Sequence, residues 1–160
     1  MTRLGLFAAA VLMATSALAD PESNYQEALQ CSQQMQSGAK LAPDAHRACV
    51  IAISTTYIDA EENTLAWEKC LLADDVSRHS LGTPADYKAG NAAKIHTPDS
   101  KSVIAAIKNR RWVADGNQAW IEYDGYLKAD PSKIGFYVAE RFTIENGLIK
   151  EIMIGGVLRK

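Results

Sequence analysis

Apolar positions divide the chain into a helical first part and a strand-rich last third. Between residues 43 and 59, Ala48, Ile51 and Ala52 recur at the spacing of one helical face, and Pro43 suits a first turn. A second helix is expected at residues 61–72, where leucines and a tryptophan supply apolar bulk. These two helices would form an antiparallel hairpin.

The segments around that hairpin are less apolar. Residues 24–37 predict a polar, glutamine-rich helix, either a flexible arm or a strap over the core. Residues 76–80 predict a short strand, and residues 82–98 a long loop rich in Pro and Gly. Asp99 is expected to cap a short third helix that ends at residue 107.

The last third alternates apolar and polar residues, which is typical of strands with one buried face. The expected strands are residues 111–114, 118–128, 134–145 and 148–157. Tight turns separate them at Asp115-Gly116-Asn117, Asp130-Pro131-Ser132 and Asn146-Gly147. Three successive hairpins after helices predict an α+β fold, with an antiparallel sheet and the helices on one face.

The first residues have the features of an export signal. Arg3 precedes an apolar run, and Ala17-Leu18-Ala19 has the small-x-small form of a cleavage site. We expect residues 1–19 to be removed before Asp20, and the protein to be secreted or periplasmic. Residues 20–42 would then form an N-terminal arm or helix, and residues 43–160 the main domain.

Charge and hydropathy exclude two classes of partner. The chain has 17 basic and 19 acidic residues, so it offers no basic field for nucleic acid. After the signal segment, no stretch is long and apolar enough to span a bilayer, so no membrane partner is expected once the signal is removed.

Three cysteines follow the signal segment, and an oxidising compartment would let two of them pair. Cys49 and Cys70 lie almost equally far from the expected turn near Asp59. An antiparallel hairpin would therefore place them side by side. We predict a Cys49–Cys70 bridge, with a bridge that uses Cys31 as the alternative.

Three stretches together resemble the SnoaL-like members of the nuclear-transport-factor-two-like superfamily. They are TTYIDAEE at residues 55–62, CLLADDVSRHSLG at 70–82 and ERFTIENGLIKEIMIGGV at 140–157. The resemblance extends over residues 43–157. It implies a cone: a strongly curved, mostly antiparallel sheet wrapped round a helical hairpin plus a short third helix, with one central pocket. Relatives include isomerases, cyclases, dehydratases, hydrolases and non-catalytic binding proteins, so the fold does not name a function.

The resemblance suggests two pocket residues. His79 is on the short strand that would follow the pocket wall, where it could act as a general base. Isomerase-like relatives have an acidic base near this position, whereas this chain has Arg78-His79-Ser80, and a half-exposed edge-strand histidine is the alternative. Tyr57 is where relatives direct a tyrosine into the cavity, as a donor to an oxyanion or simply as a core aromatic.

Alternation along the late strands suggests a carboxyl group inside the cone. Glu140 shares a strand face with Phe142 and Ile144, so it faces the cavity if they do. Burial would raise its pKa and make it a candidate base, whereas a bulge would turn it outward. Tyr123 is expected in the same cavity, and Trp67 and Phe142 are the other expected lining residues.

Other kinds of site lack support in the sequence. The histidines His46, His79 and His96 are scattered, so no metal site is expected. There is no nucleophile elbow, so no activated nucleophile is expected. There is no glycine-rich phosphate loop, and no cofactor is expected.

Two functions fit these features. The first is an exported pocket protein that binds a small apolar molecule. The alternative is a cofactor-free isomerase, dehydratase or cyclase with a His or Glu base and a Tyr hydrogen-bond donor. Trp120 shares a strand face with Glu122 and Asp124. If that face is the outer one, it could also form a homodimer.

Overall fold

The computed structural model describes residues 20–80 and 103–158. The expected signal segment 1–19, the expected loop 82–98 and the expected cap Asp99 lie outside these described residues.

Two α-helices begin the described chain, and each has a proline in its first turn. They are α1 (Pro21–Gln36) and α2 (Pro43–Glu61). A Cys31–Cys49 disulfide joins them, with 5.1 Å between the two Cα atoms. The polar segment at the N-terminus is therefore a helix packed against α2, with its small residues on the buried side.

The second helix expected at residues 61–72 is wrong. α2 continues to Glu61 and then stops, because Asn63 adopts a positive φ of 62°. The backbone N–H groups of Thr64 and Leu65 bond to the carbonyl of Asp59 and satisfy the helix end. A single 3₁₀ turn at Trp67–Lys69 leads into the first strand.

The disulfide prediction fails for the same reason. Without a second helix after α2, Cys70 is not opposite Cys49 in a hairpin, and the bridge uses Cys31 instead. Cys70 is a buried free thiol, with its Sγ 3.3 Å from the Thr56 carbonyl oxygen.

Five strands form one curved sheet, and together with the helices they confirm the α+β prediction. In spatial order the sheet is β1-β5-β4-β3-β2, with β1 parallel to β5 and every other pair antiparallel. The strands are β1 (Leu72–Ser80), β2 (Ile104–Asp115), β3 (Gln118–Leu127), β4 (Asp130–Glu145) and β5 (Leu148–Leu158).

Three strands are longer than the sequence pattern indicated. β4 begins at Asp130, so the expected turn at Asp130-Pro131-Ser132 is wrong, and the turn falls at Lys128 and Ala129 instead. β1 includes the expected break at residues 73–75, which falls where the β1–β5 register is irregular. β2 includes Ile104 and Ile107, which were expected in the third helix. Ladder pairing with β3 determines their conformation: Ile104 is in register with Leu127 and Ile107 with Gly125.

The core lies between one face of α2 and the concave face of the sheet. Val50, Ile53 and Tyr57 on α2 are almost fully buried, as are Phe142 and Ile152 on the sheet. The polar side chains described next lie in this core, at the C-terminal half of α2.

A buried carboxyl pair inside the cone

Five polar side chains from four elements meet under the C-terminal half of α2. Tyr57 and Glu61 are one helical turn apart, so they share the face of α2 that covers the sheet. Strands β1, β3 and β4 each contribute one inner-face residue: Arg78, Tyr123 and Glu140. We call these five residues the polar centre.

Glu140 is the most enclosed carboxyl group of the polar centre. Its side chain lies inward with Phe142 and Ile144, and only 2% of the residue is exposed. The Tyr123 hydroxyl donates to Glu140 Oε1 at 2.7 Å and is 3.3 Å from Glu61 Oε2. Tyr123 therefore bridges two carboxyl groups that would otherwise face each other without a donor.

Arg78 connects the remaining members. Its Nε donates to the Tyr57 hydroxyl oxygen at 2.7 Å, and its guanidinium is 3.7 Å from Glu61 Oε1. Glu61 is thus supported by the Arg78 cation and by the Tyr123 phenol.

Burial and mutual repulsion control the charge of the two carboxyl groups. The pKa of Glu140 is raised well above its usual value, first by burial and then by the negative charge of Glu61. Burial also raises the pKa of Glu61, but Arg78 opposes this effect. Because the described part of the polar centre has one cation, Arg78, for two buried acids, the favoured state has Glu61 ionised beside Arg78 and Glu140 protonated.

One oxygen supports this distribution of protons. Within the described part of the chain, Glu140 Oε2 is buried and has no hydrogen-bond donor. A protonated Glu140, which its raised pKa favours, carries no negative charge that this oxygen would have to pair with a donor. The polar centre therefore holds an acid and a base that the Tyr123 hydroxyl connects.

Both phenols remain protonated donors across the ordinary pH range. Burial is the main reason that the pKa of Tyr57 and of Tyr123 is raised, and the nearby carboxylates add to it. Aromatic rings enclose the centre on its apolar side. The Tyr57 ring has edge contacts with Trp67 at 5.5 Å and with Phe142 at 5.6 Å, and Trp112 lies 6.1 Å from Phe142.

The sequence-predicted residues do not all meet. Tyr57, Tyr123 and Glu140 belong to the polar centre, and Trp67 and Phe142 lie on its aromatic wall. His79 is half-buried in register with Met153 of β5, and strand alternation directs it away from the face that carries Arg78. Cys49 is in the helix–helix disulfide.

Sequence reasoning missed Glu61 and Arg78. Glu61 was assigned to the start of another helix, although its i+4 spacing from Tyr57 would have placed both on one face of a longer α2. Arg78 was noted only as a departure from a family pattern. Its alternation with the fully buried Val76 was the available signal.

Residues 20–80 and 103–158 contain no group of three or more His, Cys, Asp or Glu side chains arranged to bind a metal ion. None of the helices formed by these residues has the length and apolar character that a membrane crossing requires.

Solved structures of other proteins share this fold at low identity. A putative ketosteroid isomerase from Kribbella flavida has a TM-score of 0.56 and 19% identity, and the match covers 69% of this chain and 79% of the isomerase. An LEH-like epoxide hydrolase from M. tuberculosis has a TM-score of 0.53 and 19% identity, and the match covers 68% of this chain and 82% of the hydrolase. A nuclear-transport-factor-two-like protein from Burkholderia xenovorans has a TM-score of 0.51 and 13% identity, and the match covers 68% of this chain and 88% of that protein.

A family model supplies the classification by sequence. No functionally curated protein matches the chain. The model of a family described as a domain of unknown function, DUF8021, matches residues 43–154, from the start of α2 almost to the end of β5. Because this match covers well over half of the sequence, the chain belongs to the DUF8021 family, and its fold is that of the nuclear-transport-factor-two-like superfamily.

Proposed function

We propose that the cone binds a small, mainly apolar molecule with one polar group and transfers a proton on it without a cofactor. One observation carries this proposal: Glu140 is buried with a raised pKa, and one of its oxygens has no donor among the described residues. A buried carboxyl group with a raised pKa can give or take a proton near neutral pH.

The pair can supply both halves of such a reaction. The ionised carboxyl group of the Glu61–Glu140 pair accepts a proton from a substrate carbon, while the protonated one donates to the substrate oxygen. The first carboxyl group then gives its proton to another carbon, and the second takes its proton back from the substrate oxygen. The isomerisation therefore ends with no net change in protons. Tyr123 and Tyr57 are phenolic donors that would stabilise negative charge developing on the substrate oxygen.

The surroundings support a mainly apolar substrate. Aromatic rings of Tyr57, Trp67, Trp112 and Phe142 pack beside the polar centre. Binding sites for small molecules typically combine such a wall with a few convergent polar groups.

The names of two fold relatives are consistent with this chemistry. One is named a putative ketosteroid isomerase and another an LEH-like epoxide hydrolase. Isomerisation of a ketone and opening of an epoxide both need a proton donor and a proton acceptor at one site. Enones and epoxides are therefore the first substrates to test.

Non-catalytic binding is the second candidate, because the same aromatic wall would hold a ligand without any reaction. Native mass spectrometry of the protein purified from its own host tests for a ligand that is retained natively and lost on denaturation. The mass of such a ligand would then define the substrate class.

Catalysis is tested by following turnover and solvent deuterium incorporation with that ligand and with panels of enones and epoxides. We expect Glu140→Gln to lower turnover by about 10²- to 10⁴-fold while binding persists. His79→Ala is the matched control and should retain activity. Full activity in Glu140→Gln would contradict the proposal, and a loss confined to His79→Ala would make His79 the base.

We also propose that the protein is exported. The Cys31–Cys49 disulfide is compatible with an oxidising compartment, and the first residues have the form of a signal segment. Fractionation of the native host followed by N-terminal sequencing should find Asp20 at the start of the mature chain. A cytoplasmic protein with residues 1–19 intact would refute export.

A further inference from the structure

A second polar site lies on the opposite face of α2 from the polar centre. Asp59 and Glu62 are one helical turn apart and point away from the face that carries Tyr57 and Glu61. They line a cleft of about 600 Å³ between the start of α1, the end of α2 and β2. The proposed function uses none of these groups.

A bulge in β2 supplies the basic side of this cleft. Asn109 has a positive φ of 56°, and the β2–β3 register shifts between Lys108 and Arg111. Arg110 consequently reaches α2, where it forms ion pairs with Asp59 Oδ1 at 2.6 Å and with Glu62. The other Glu62 oxygen accepts from the Ile107 backbone N–H at 2.9 Å.

Asp59 is left with an unused oxygen. Its side chain is only 3% exposed, and Oδ2 has no hydrogen-bond donor among the residues that the structure describes. The nearby N–H groups of Thr64 and Leu65 and the Thr64 hydroxyl all bond to the Asp59 backbone carbonyl instead. These three donors are therefore not available to the carboxylate.

Among the residues that the structure describes, the charges around the cleft leave a negative excess. Asp20, Asp59 and Glu62 contribute three carboxylates, whereas Lys108 and Arg110 contribute two cations. Lys108 is engaged elsewhere, with its ammonium 4.5 Å from the centroid of the Tyr126 ring. The group that this cleft lacks is one that carries a positive charge and several N–H donors.

We infer that the cleft binds a primary ammonium group, held by Asp59 Oδ2 at the edge of the Asp59–Arg110–Glu62 cluster. Two sources share this chemistry. One is the chain's own α-ammonium, because Asp20 and Pro21 line the cleft and the expected cleavage creates a free amine at Asp20. The other is a free small amine.

The first arm of the test uses the chain that begins at Asp20, labelled with ¹³C at that residue. An NMR titration of the Asp20 α-carbon measures the pKa of its amino group. Beside Asp59 we expect a pKa above the roughly 7.7–8.0 of an ordinary α-amino group. Asp59→Asn should return it to that range, whereas Asp44→Asn, at an exposed ion pair on the same helix, should not.

The second arm uses the full chain, in which Asp20 has no free amine. Ethylammonium chloride is titrated against the ¹³C signal of the Asp59 carboxyl group, with potassium chloride at equal ionic strength as the reference. Saturable shifts specific to ethylammonium would support binding and identify a free amine as the source.

Either positive arm supports the inference, and together they distinguish the two sources. An ordinary α-amino pKa in the first arm combined with no specific ethylammonium response in the second would overturn it. Both decisive measurements use the unsubstituted sequence, so the conclusion does not depend on the folding of Asp59→Asn.

Discussion

At the scale of single residues, burial of the polar centre disfavours negative charge on its two carboxyl groups, and the Arg78 cation offsets this effect at Glu61. Among the described residues, Glu61 has Arg78 as a counter-charge, whereas Glu140 accepts from the Tyr123 phenol. This asymmetry favours the proton on Glu140 rather than on Glu61, because one cation matches one negative charge. The stability of the protein should therefore depend on pH in a way that one substitution can isolate.

We predict that stability falls as the pH rises through the weakly acidic and neutral range. The folded-state pKa of Glu140 is raised, so its contribution is complete below the unfolded value of roughly 4.3 and is lost as the pH approaches the folded value. Surface acids such as Asp130, whose pKa is lowered to about 2, act only at lower pH. Urea unfolding at several pH values above 5 measures the slope.

Glu140→Gln should flatten this dependence, because the amide stays neutral at every pH. Glu145→Gln, at an exposed position near the end of the same strand, is the control and should keep the wild-type slope. Equal slopes for the Glu140 variant and the wild type would show that Glu140 ionises without penalty.

At the scale of elements, the sequence pattern was most accurate for the hairpins. The Asp115-Gly116 and Asn146-Gly147 turns lie where their local chemistry predicts, and both glycines have positive φ. It was least accurate for residues 61–72, where the chain leaves α2 through Asn63 and a 3₁₀ turn before β1 begins. The parallel pairing of β1 with β5 joins residues distant in sequence, which local propensity cannot indicate.

The two turn glycines should respond differently to alanine. A Cβ on Gly147 would lie 2.5 Å from the Ser32 carbonyl oxygen of α1, whereas nothing lies within 4 Å of one on Gly116. Both variants carry the left-handed backbone cost of about 1 kcal/mol. Gly147→Ala should lose roughly 1–3 kcal/mol more because α1 must shift.

Urea unfolding of the two variants side by side measures this difference. Equal losses would mean that α1 does not rest on the β4–β5 turn in solution.

The disulfide should make a measurable contribution to the same docking of α1. Replacing Cys31 and Cys49 together by Ala should lower the free energy of unfolding by about 2–4 kcal/mol, because the unfolded chain regains the freedom of an 18-residue separation. A reducing agent should then have no further effect on stability. If Cys70→Ala abolished the sensitivity to reductant instead, the bridge would involve Cys70.

At the scale of the whole molecule, the cone has two different faces. Inside, α2 covers the polar centre. On the outer face, one register row crosses all five strands through Val113, Trp120, Arg141, Met153 and His79. Val113 is 65% exposed and Trp120 37%, which is unusual for such large apolar side chains.

We predict a homodimer through this outer row, since its apolar residues can pack against their own copies about a two-fold axis. Sedimentation velocity should detect a dimer whose dissociation is promoted by Trp120→Asp. Val103→Asp, at an equally exposed apolar residue outside the row, is the control. A wild-type protein that is monomeric at high concentration would contradict this prediction.

The sequence by itself determined the fold class and two of the three hairpin turns, and it narrowed Glu140 to an inward position or a bulge. These features depend on period-two alternation and on residues within a few positions of each other. Only the tertiary structure decided that Cys31 pairs with Cys49, that Glu61 and Arg78 join Glu140, and that Asp59 meets Arg110. Such contacts depend on where α2 stops and on which strands are neighbours, and the proton affinities depend on the burial that follows.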